Sequence, residues 1–323
     1  MPLVSTKSFK PRKLKLVASK KKLTNAAGLG LMIEQFDSLP QSLHFFRALP
    51  DRKSNRSMGS YRLGLTQLAS FLYGHDCIDD IIEFRVDPLL KHVMRGETVL
   101  PRTMGNFLRD FKITNINSLN KFLTSQAMAD RERVKQSHPT HFNKPIHLSI
   151  DSTPHEQNGS KMEGLSFNYK NMWCLDTQSI FDVEGFCYGM QLREGSAKSG
   201  RDAEELIKQA FRGYKFGDEK YLSADSAYCN QSIIKLCISL GIKFTIVANQ
   251  ATTSWRDQIE SITTWEKWQY TEKEIKNAKK KNIKLPDVEL ARILWQPSWS
   301  EVLRLPIVIK RQVREQADME GGC

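Results

Sequence analysis

Two aspartates stand where the chain could do chemistry. Asp151 follows the alternating run Ile146-His147-Leu148-Ser149-Ile150, and Asp225 follows the short run Tyr221-Leu222-Ser223-Ala224. Both runs have the pattern of strands, which predicts each acid at a strand end. Carboxylates at the ends of neighbouring strands make a hard, oxygen-rich site suited to Mg²⁺. Displacement at a phosphodiester needs an activated oxygen nucleophile and a stabilised leaving oxygen, and two metal ions about 3.5–4 Å apart supply both. Taken singly, each aspartate reads as a turn or capping residue. As a pair they favour a metal site, because their neighbours Ser152, Thr153, Ala224, Ser226 and Ala227 are small and leave room for a cation and a phosphate. Without cations the two carboxylates would repel one another.

The balance of charge points the same way. Lys plus Arg number 48 against 36 Asp plus Glu, a net charge of +12 over 323 residues. Such an excess attracts polyanions, nucleic acid first among them. The plainer account is a basic soluble protein with no such partner. Hydrophobic residues make up 40% and charged residues 26% of the chain, which fits a globular protein. No apolar run approaches the roughly 18–20 residues that span a bilayer, and no secretory signal follows the basic start. The six cysteines form no C-x-x-C or zinc-ligand spacing, so reduced, structural thiols in the cytoplasm are expected. His138 and His141 lack acid or cysteine partners at ligand spacing, which favours a surface role over metal binding.

Several elements must position the acids. Residues 1–22 form a basic tail without an acidic residue, expected to be flexible until it meets a polyanion. Residues 23–140 read as a helical region. Leu65, Leu68, Phe71 and Leu72 make an apolar stripe, Asp87-Pro88 is a helix start, and Pro101 opens a helix bearing Met104, Phe107, Leu108 and Phe111. Arg102, Arg109 and Lys112 lie on or beside that last helix, and the pair weakly resembles a helix-turn-helix that would contact DNA. A further helix through Leu119 to Met128 runs into the charged stretch Asp130 to Lys135. From 141 to 323 the pattern predicts a mixed sheet: three strands with a turn at Asp182-Val183-Glu184-Gly185, a helix from Ala203 to Phe211, the strand before Asp225, a helix capped by Asn230, and a strand Phe244 to Ala248. The loop from Gly195 to Gly200 places Lys198 and Arg201 where a DNA backbone could approach; Lys208 reads as a solvated helix face. Trp255, Trp265, Trp268, Trp295 and Trp299 sit in Lys-rich sequence and are expected to pack rather than stack on bases.

The blocks Ile150-Asp151-Ser152-Thr153, Gly164 to Lys170, Gly185-Phe186, Leu192-Arg193-Glu194-Gly195 and Ala224-Asp225-Ser226-Ala227-Tyr228, in this order and spacing, resemble the DDE transposases of bacterial insertion sequences. The resemblance covers residues 60–250 well. It implies an α/β fold, an RNase H-like mixed sheet flanked by helices and preceded by a helical DNA-binding region, and catalysis by Asp151 and Asp225 with two Mg²⁺ (or Mn²⁺) ions. It implies Arg193, Lys198 and Arg201 at the DNA, and Arg102, Arg109 and Lys112 on the helical region. It further implies double-stranded DNA partners, both terminal inverted repeats and target, a homodimer on DNA, and a cytoplasmic, nucleoid-associated protein. The sequence departs from that pattern at the third acid. No Tyr-x-x-Arg-x-x-x-Glu is present, and Glu301 and Glu315 are the late candidates, neither in a matching context. Residues 252–310 read as the family's inserted segment, so the carboxy-terminal part is expected to be missing. Two other functions stay open: a catalytically dead DNA-binding remnant that competes with a full-length enzyme, and a metal-dependent nuclease without strand transfer.

Overall fold

A computed structural model describes residues 24, 26–52, 58–93, 99–139, 144–248 and 259–312. The basic tail, His141, Trp255 and Glu315 lie outside them. The chain divides into two compact units, Met1–Ile246 and Val247–Cys323.

The first unit opens with helices α1 (Ala27–Ser38), α2 (Ser42–Ala48) and α3 (Ser60–Tyr73), a 3-10 segment (Ile78–Arg85), α4 (Pro88–Val93) and α5 (Pro101–Arg109). Asp87 caps α4 as its sequence predicts: Oδ1 accepts the Leu89 and Leu90 N–H groups at 2.8 and 3.0 Å. Leu29, Ile33, Leu63, Leu65, Phe84, Met104 and Phe107 form the core of this bundle. The face of α3 differs from the expected stripe. Leu63, Leu65, Thr66, Ala69 and Ser70 are buried, whereas Phe71 and Leu72 are exposed. Small residues at 64, 66, 69 and 70 let neighbouring helices approach, and that close packing outweighs the larger side chains one step round the helix.

Helix α6 (Ile113–Ser137) joins two cores. Leu119 packs on the bundle, and Ala127 and Met128 pack on the sheet. The charged stretch within it continues the helix, and Arg131 is buried against the turn of a hairpin, 3.1 Å from Asp182 and 2.6 Å from Glu184.

The sheet of this unit contains β1 (Ile146–Glu156), β2 (Ser166–Phe167), β3 (Trp173–Asp182), β4 (Cys187–Glu194), β5 (Lys220–Ala224) and β6 (Lys243–Ile246). Strand β3 pairs antiparallel with β1 on one side and with β2 and β4 on the other. Strands β5 and β6 continue from β1 in parallel. Helices α7 (Ala203–Ala210) and α8 (Gln231–Ser239) provide the crossovers, and their apolar faces (Leu206, Ile207, Ile233, Cys237) meet Leu148, Ile150, Ile180 and Leu222. This is the expected mixed sheet with flanking helices. Asn230 caps α8 by accepting the Ile233 N–H at 2.9 Å, and Gly241 follows it with φ +66°.

The second unit is an antiparallel sheet of β7 (Glu266–Lys267), β8 (Val288–Trp295) and β9 (Leu305–Gln312), with α9 (Glu272–Lys280) between its first two strands. Trp265 packs at the surface, where the Arg311 guanidinium lies 3.8 Å from its ring centroid.

Candidate active site

The parallel pairing of β1 with β5 sets the geometry of the acids. Ile146 lies opposite Lys220 and Ile150 opposite Ala224; one residue further along both chains come Asp151 and Asp225. Ile150 is buried and Asp151 exposed, as alternation requires. Residues in register on neighbouring strands leave the same face of a sheet, about 4.8 Å apart along the hydrogen-bonding direction. The last paired residues, Ile150 and Ala224, are such neighbours, and each acid is the next residue of its chain.

Their backbones differ from the expectation in one respect. Asp225 does stand at the end of β5, capping the short 3-10 turn Ser226–Tyr228 with an oxygen that accepts the Ala227 N–H at 3.0 Å. Asp151 lies within its strand. Strand β5 leaves the sheet at Asp225, but β1 runs on to Glu156 because β3 stays paired with it through Cys174. An acid held within a strand paired on at least one side has less backbone freedom than one at a strand end.

Each carboxylate uses one oxygen locally, the Asp151 Oδ1 accepting the Ser152 N–H at 2.7 Å. The remaining oxygen of each has no hydrogen bond among the described residues. Two hard oxygen ligands on one face fit part of the shell of a divalent cation. Among the described residues no trio of histidine, cysteine or acid at ligand spacing includes Asp151 or Asp225. The trio that does meet that spacing, Asp76, Cys77 and Asp80, lies at the start of the 3-10 segment in the helical bundle.

Beneath the acids lies a buried polar hub that the sequence reading missed. Tyr228 is fully buried. Burial pushes its phenol up to about 12; the Gln178 hydrogen bond and Arg193 oppose the rise, and Asp151 and Asp225 both add to it. One hydroxyl thus senses both carboxylates. Gln178, also fully buried, donates through Nε2 to the Ser199 carbonyl and to the Tyr228 hydroxyl.

Arg193 belongs to this hub and not to a DNA surface. It is 8% exposed. Its Nε donates to Asp176 Oδ2 at 3.0 Å, and Nη2 meets the same oxygen. Its Nη1 donates to the carbonyls of Lys198, Ser199 and Arg201 at 3.2, 3.1 and 2.9 Å. Nη1 thus holds the loop between β4 and α7 while Nε and Nη2 hold Asp176, and the buried guanidinium presents little surface to a phosphate. The hairpin register would have signalled this, since it sets Arg193 opposite Asp176. The same loop is tied to β1 by Ser199 Oγ, 2.8 Å from Ser152 Oγ. Gly200 presses on the other acid's turn: a Cβ there would lie 2.5 Å from the Ala227 carbonyl oxygen.

The loop presents the remaining predicted cations. Lys198 is exposed and has no ion pair among the described residues. Arg201 is exposed but paired with Glu194 at 2.6 Å and Asp202 at 3.4 Å. Lys208 pairs with Glu205 at 3.8 Å on the surface of α7. Arg102, Arg109 and Lys112 are exposed on or beside α5; Arg109 donates to Asn106 at 3.2 Å. Among the described residues, every cysteine is free and no helix is long and apolar enough to cross a membrane.

Over residues 6–320 the chain matches the family described as transposase DDE domain group 1. No curated protein matches it. Among solved structures it is similar to a simian T-cell lymphotropic virus intasome in complex with PP2A regulatory subunit B56 gamma, at 18% identity over 36% of this chain and 38% of that one, TM-score 0.23. It is similar to the piggyBac transposase synaptic complex with hairpin DNA, at 11% identity over 83% of this chain and 60% of that one, TM-score 0.34. It is also similar to the Mos1 mariner paired end complex with Mn, at 10% identity over 80% of this chain and 85% of that one, TM-score 0.24. The chain thus spans less than two thirds of the intasome and piggyBac chains.

Proposed function

We propose that this chain, which belongs to the transposase DDE domain family, cleaves DNA at the ends of an insertion sequence and joins those ends to target DNA. The observation that carries this reading is that Asp151 and Asp225 each directly follow the last paired residues, Ile150 and Ala224, of two parallel strands. Bound between such carboxylates, Mg²⁺ or Mn²⁺ supplies an activated oxygen nucleophile and stabilises a leaving oxygen; two ions are proposed for a site completed by a third acid. The chain's own residues do the positioning. Asp151 and Asp225 are exposed and each keeps one oxygen without a hydrogen bond among the described residues, while the hub of Arg193, Gln178 and Tyr228 fixes the nearby loop. Lys198 meets a phosphate next to the acids, and Arg201 does so by exchanging its carboxylate partners. Arg102, Arg109 and Lys112 hold duplex away from the cleavage point, so the helical region, residues 23–140, acts as a DNA-binding part. Terminal inverted repeats and target DNA are the proposed partners, bound by a homodimer in the cytoplasm at the nucleoid.

A second reading, a DNA-binding protein that does not cut, is favoured by the lack of a third ligand at the acid pair among the described residues. A third reading is a nuclease. Incubation with DNA carrying the element ends and Mg²⁺ separates them. Nicking and joining support the transposase, nicking alone the nuclease, and binding alone the silent DNA binder. Asp151→Asn and Asp225→Asn are each expected to abolish nicking and to keep duplex binding. Undiminished nicking in either variant removes that residue from the site.

A further inference from the structure

The hairpin tip between β2 and β3 carries an aromatic surface that the acid pair does not use. Tyr169 is 88% exposed and Phe167 57% exposed. Aromatic side chains of this size ordinarily bury about 150–250 Å² each, so a ring left in water is a surface that something else can cover.

The ring stands on a rigid mount. Asn168 Oδ1 accepts the N–H groups of Lys170 and Met172 at 2.9 and 3.0 Å. The Asn168 N–H donates to the Met172 carbonyl, and the Asn171 N–H to the Asn168 carbonyl, both at 3.0 Å. Asn171 takes a left-handed φ of +58°, a conformation that asparagine tolerates. Below the tip, Phe167 leans on Trp173 with ring centroids 4.9 Å apart, and Trp173 Nε1 donates to the Gly159 carbonyl at 2.7 Å. A surface fixed in advance loses little entropy on binding.

The mount is tied to the active-site loop. The Gly195 N–H donates to the Gly164 carbonyl at 3.1 Å, and the Ser196 N–H to Ser166 Oγ at 2.7 Å. That loop is the one joined to β1 beside Asp151. Charge supplies the rest of the argument. Lys170 Nζ lies 5.4 Å from the Tyr169 ring centroid, so a flat π-face and a cation are presented together. A nucleotide offers the matching pair, a base and a phosphate.

We propose that Tyr169 is a stacking platform for a nucleobase without a pairing partner, in DNA whose backbone passes Lys170 towards the acid pair. The inference rests on the DNA reading above and adds a ligand chemistry to it. A fully paired duplex offers no free base face along its length, so the platform serves single-stranded or frayed DNA.

The test uses the full chain in EDTA, where cleavage plays no part. Two probes are compared: a blunt duplex, and the same duplex with a single-stranded extension carrying 2-aminopurine. Tyr169→Ala is expected to weaken binding to the extended probe about 5- to 150-fold, the equivalent of about 1–3 kcal/mol per stacked base, and to abolish the quenching of 2-aminopurine. Its binding to the blunt duplex is expected to match the parent's, and Tyr169→Trp to restore both signals. Equal binding of the extended probe by parent and Tyr169→Ala overturns the proposal. So does an equal loss on both probes, which marks a role in the backbone contact, or a parent dimer that Tyr169→Ala breaks, which marks contact between copies. A parent that quenches 2-aminopurine while Asp151→Asn cuts normally upholds the platform and sinks the catalytic assignment. A parent that binds neither probe sinks both.

Discussion

Arg193 is chemically the most committed residue near the acids, and its removal has a readable cost. Asp176 is 6% exposed, so Arg193→Ala strands a carboxylate away from water. Breaking a buried pair from one side costs about 3–5 kcal/mol, and denaturant unfolding of Arg193→Ala should show a loss of that size. The pair Arg193→Met with Asp176→Leu is expected to recover most of it. A loss below about 1 kcal/mol in the single variant would mean that the pair is solvated. Tyr228 gives a second test, through pH. Its phenol is pushed up to about 12 from an ordinary value of 10.0, so the unfolded chain releases this proton first. Its contribution to stability is full below about pH 10 and lost as pH rises through 12. Tyr228→Phe should flatten that alkaline decline in stability measured against pH; an unchanged decline would place the hydroxyl in water. Asp151 and Asp225 were legible because period-2 alternation marks strands in any sequence. Arg193 was not, because a charge reads alike in a surface loop and in a buried pair until its cross-strand partner is known.

At the scale of elements, the loop from Gly195 to Gly200 couples the two acid-bearing segments. Gly195 packs against the carbonyls of Cys174 and Ser166, and Gly200 against Ala227. A methyl group at Gly200 would also stand 3.0 Å from Asn230 Nδ2. Gly200→Ala should therefore cost about 1–3 kcal/mol and speed hydrogen exchange of the N–H groups from Ser226 to Ile233. Gly217→Ala is the control, since no heavy atom lies within 4 Å of its added carbon. Equal behaviour of the two variants would refute the close packing of the loop. The order of β1, β3, β4, α7, β5, α8 and β6 was readable from alternation, caps and turns. Besides the two-residue β2, too short to show a period, two features were not. Strand β1 extends past Asp151 because β3 stays paired with it, and α3 buries its small residues instead of Phe71. Both outcomes depend on neighbours that are distant in sequence. The elements β7, β8 and α9 escaped for a related reason: β7 and α9 bury no residue and β8 buries only Val288 and Ala291, so they leave little hydrophobic period to read.

For the whole molecule, the net charge of +12 makes DNA affinity a function of salt. Binding is expected to fall along a straight line of log K against log [salt], with a slope of about −0.9 for each phosphate neutralised. Lys198→Ala should shallow that slope by about one contact. An unchanged slope would move Lys198 off the DNA. The composition points to a polyanion partner, but not to which cations would meet it, because exposed lysines look alike in sequence and the loop clamp is what distinguishes Lys198.

The convergence of Asp151 and Asp225 on one cation is tested most directly by Mn²⁺ titration of the full chain, followed by the electron spin resonance of the free ion. The parent should remove Mn²⁺ from solution, and Asp151→Asn and Asp225→Asn should each abolish the same class of bound ion. Equal Mn²⁺ uptake by the parent and both variants would contradict a shared site.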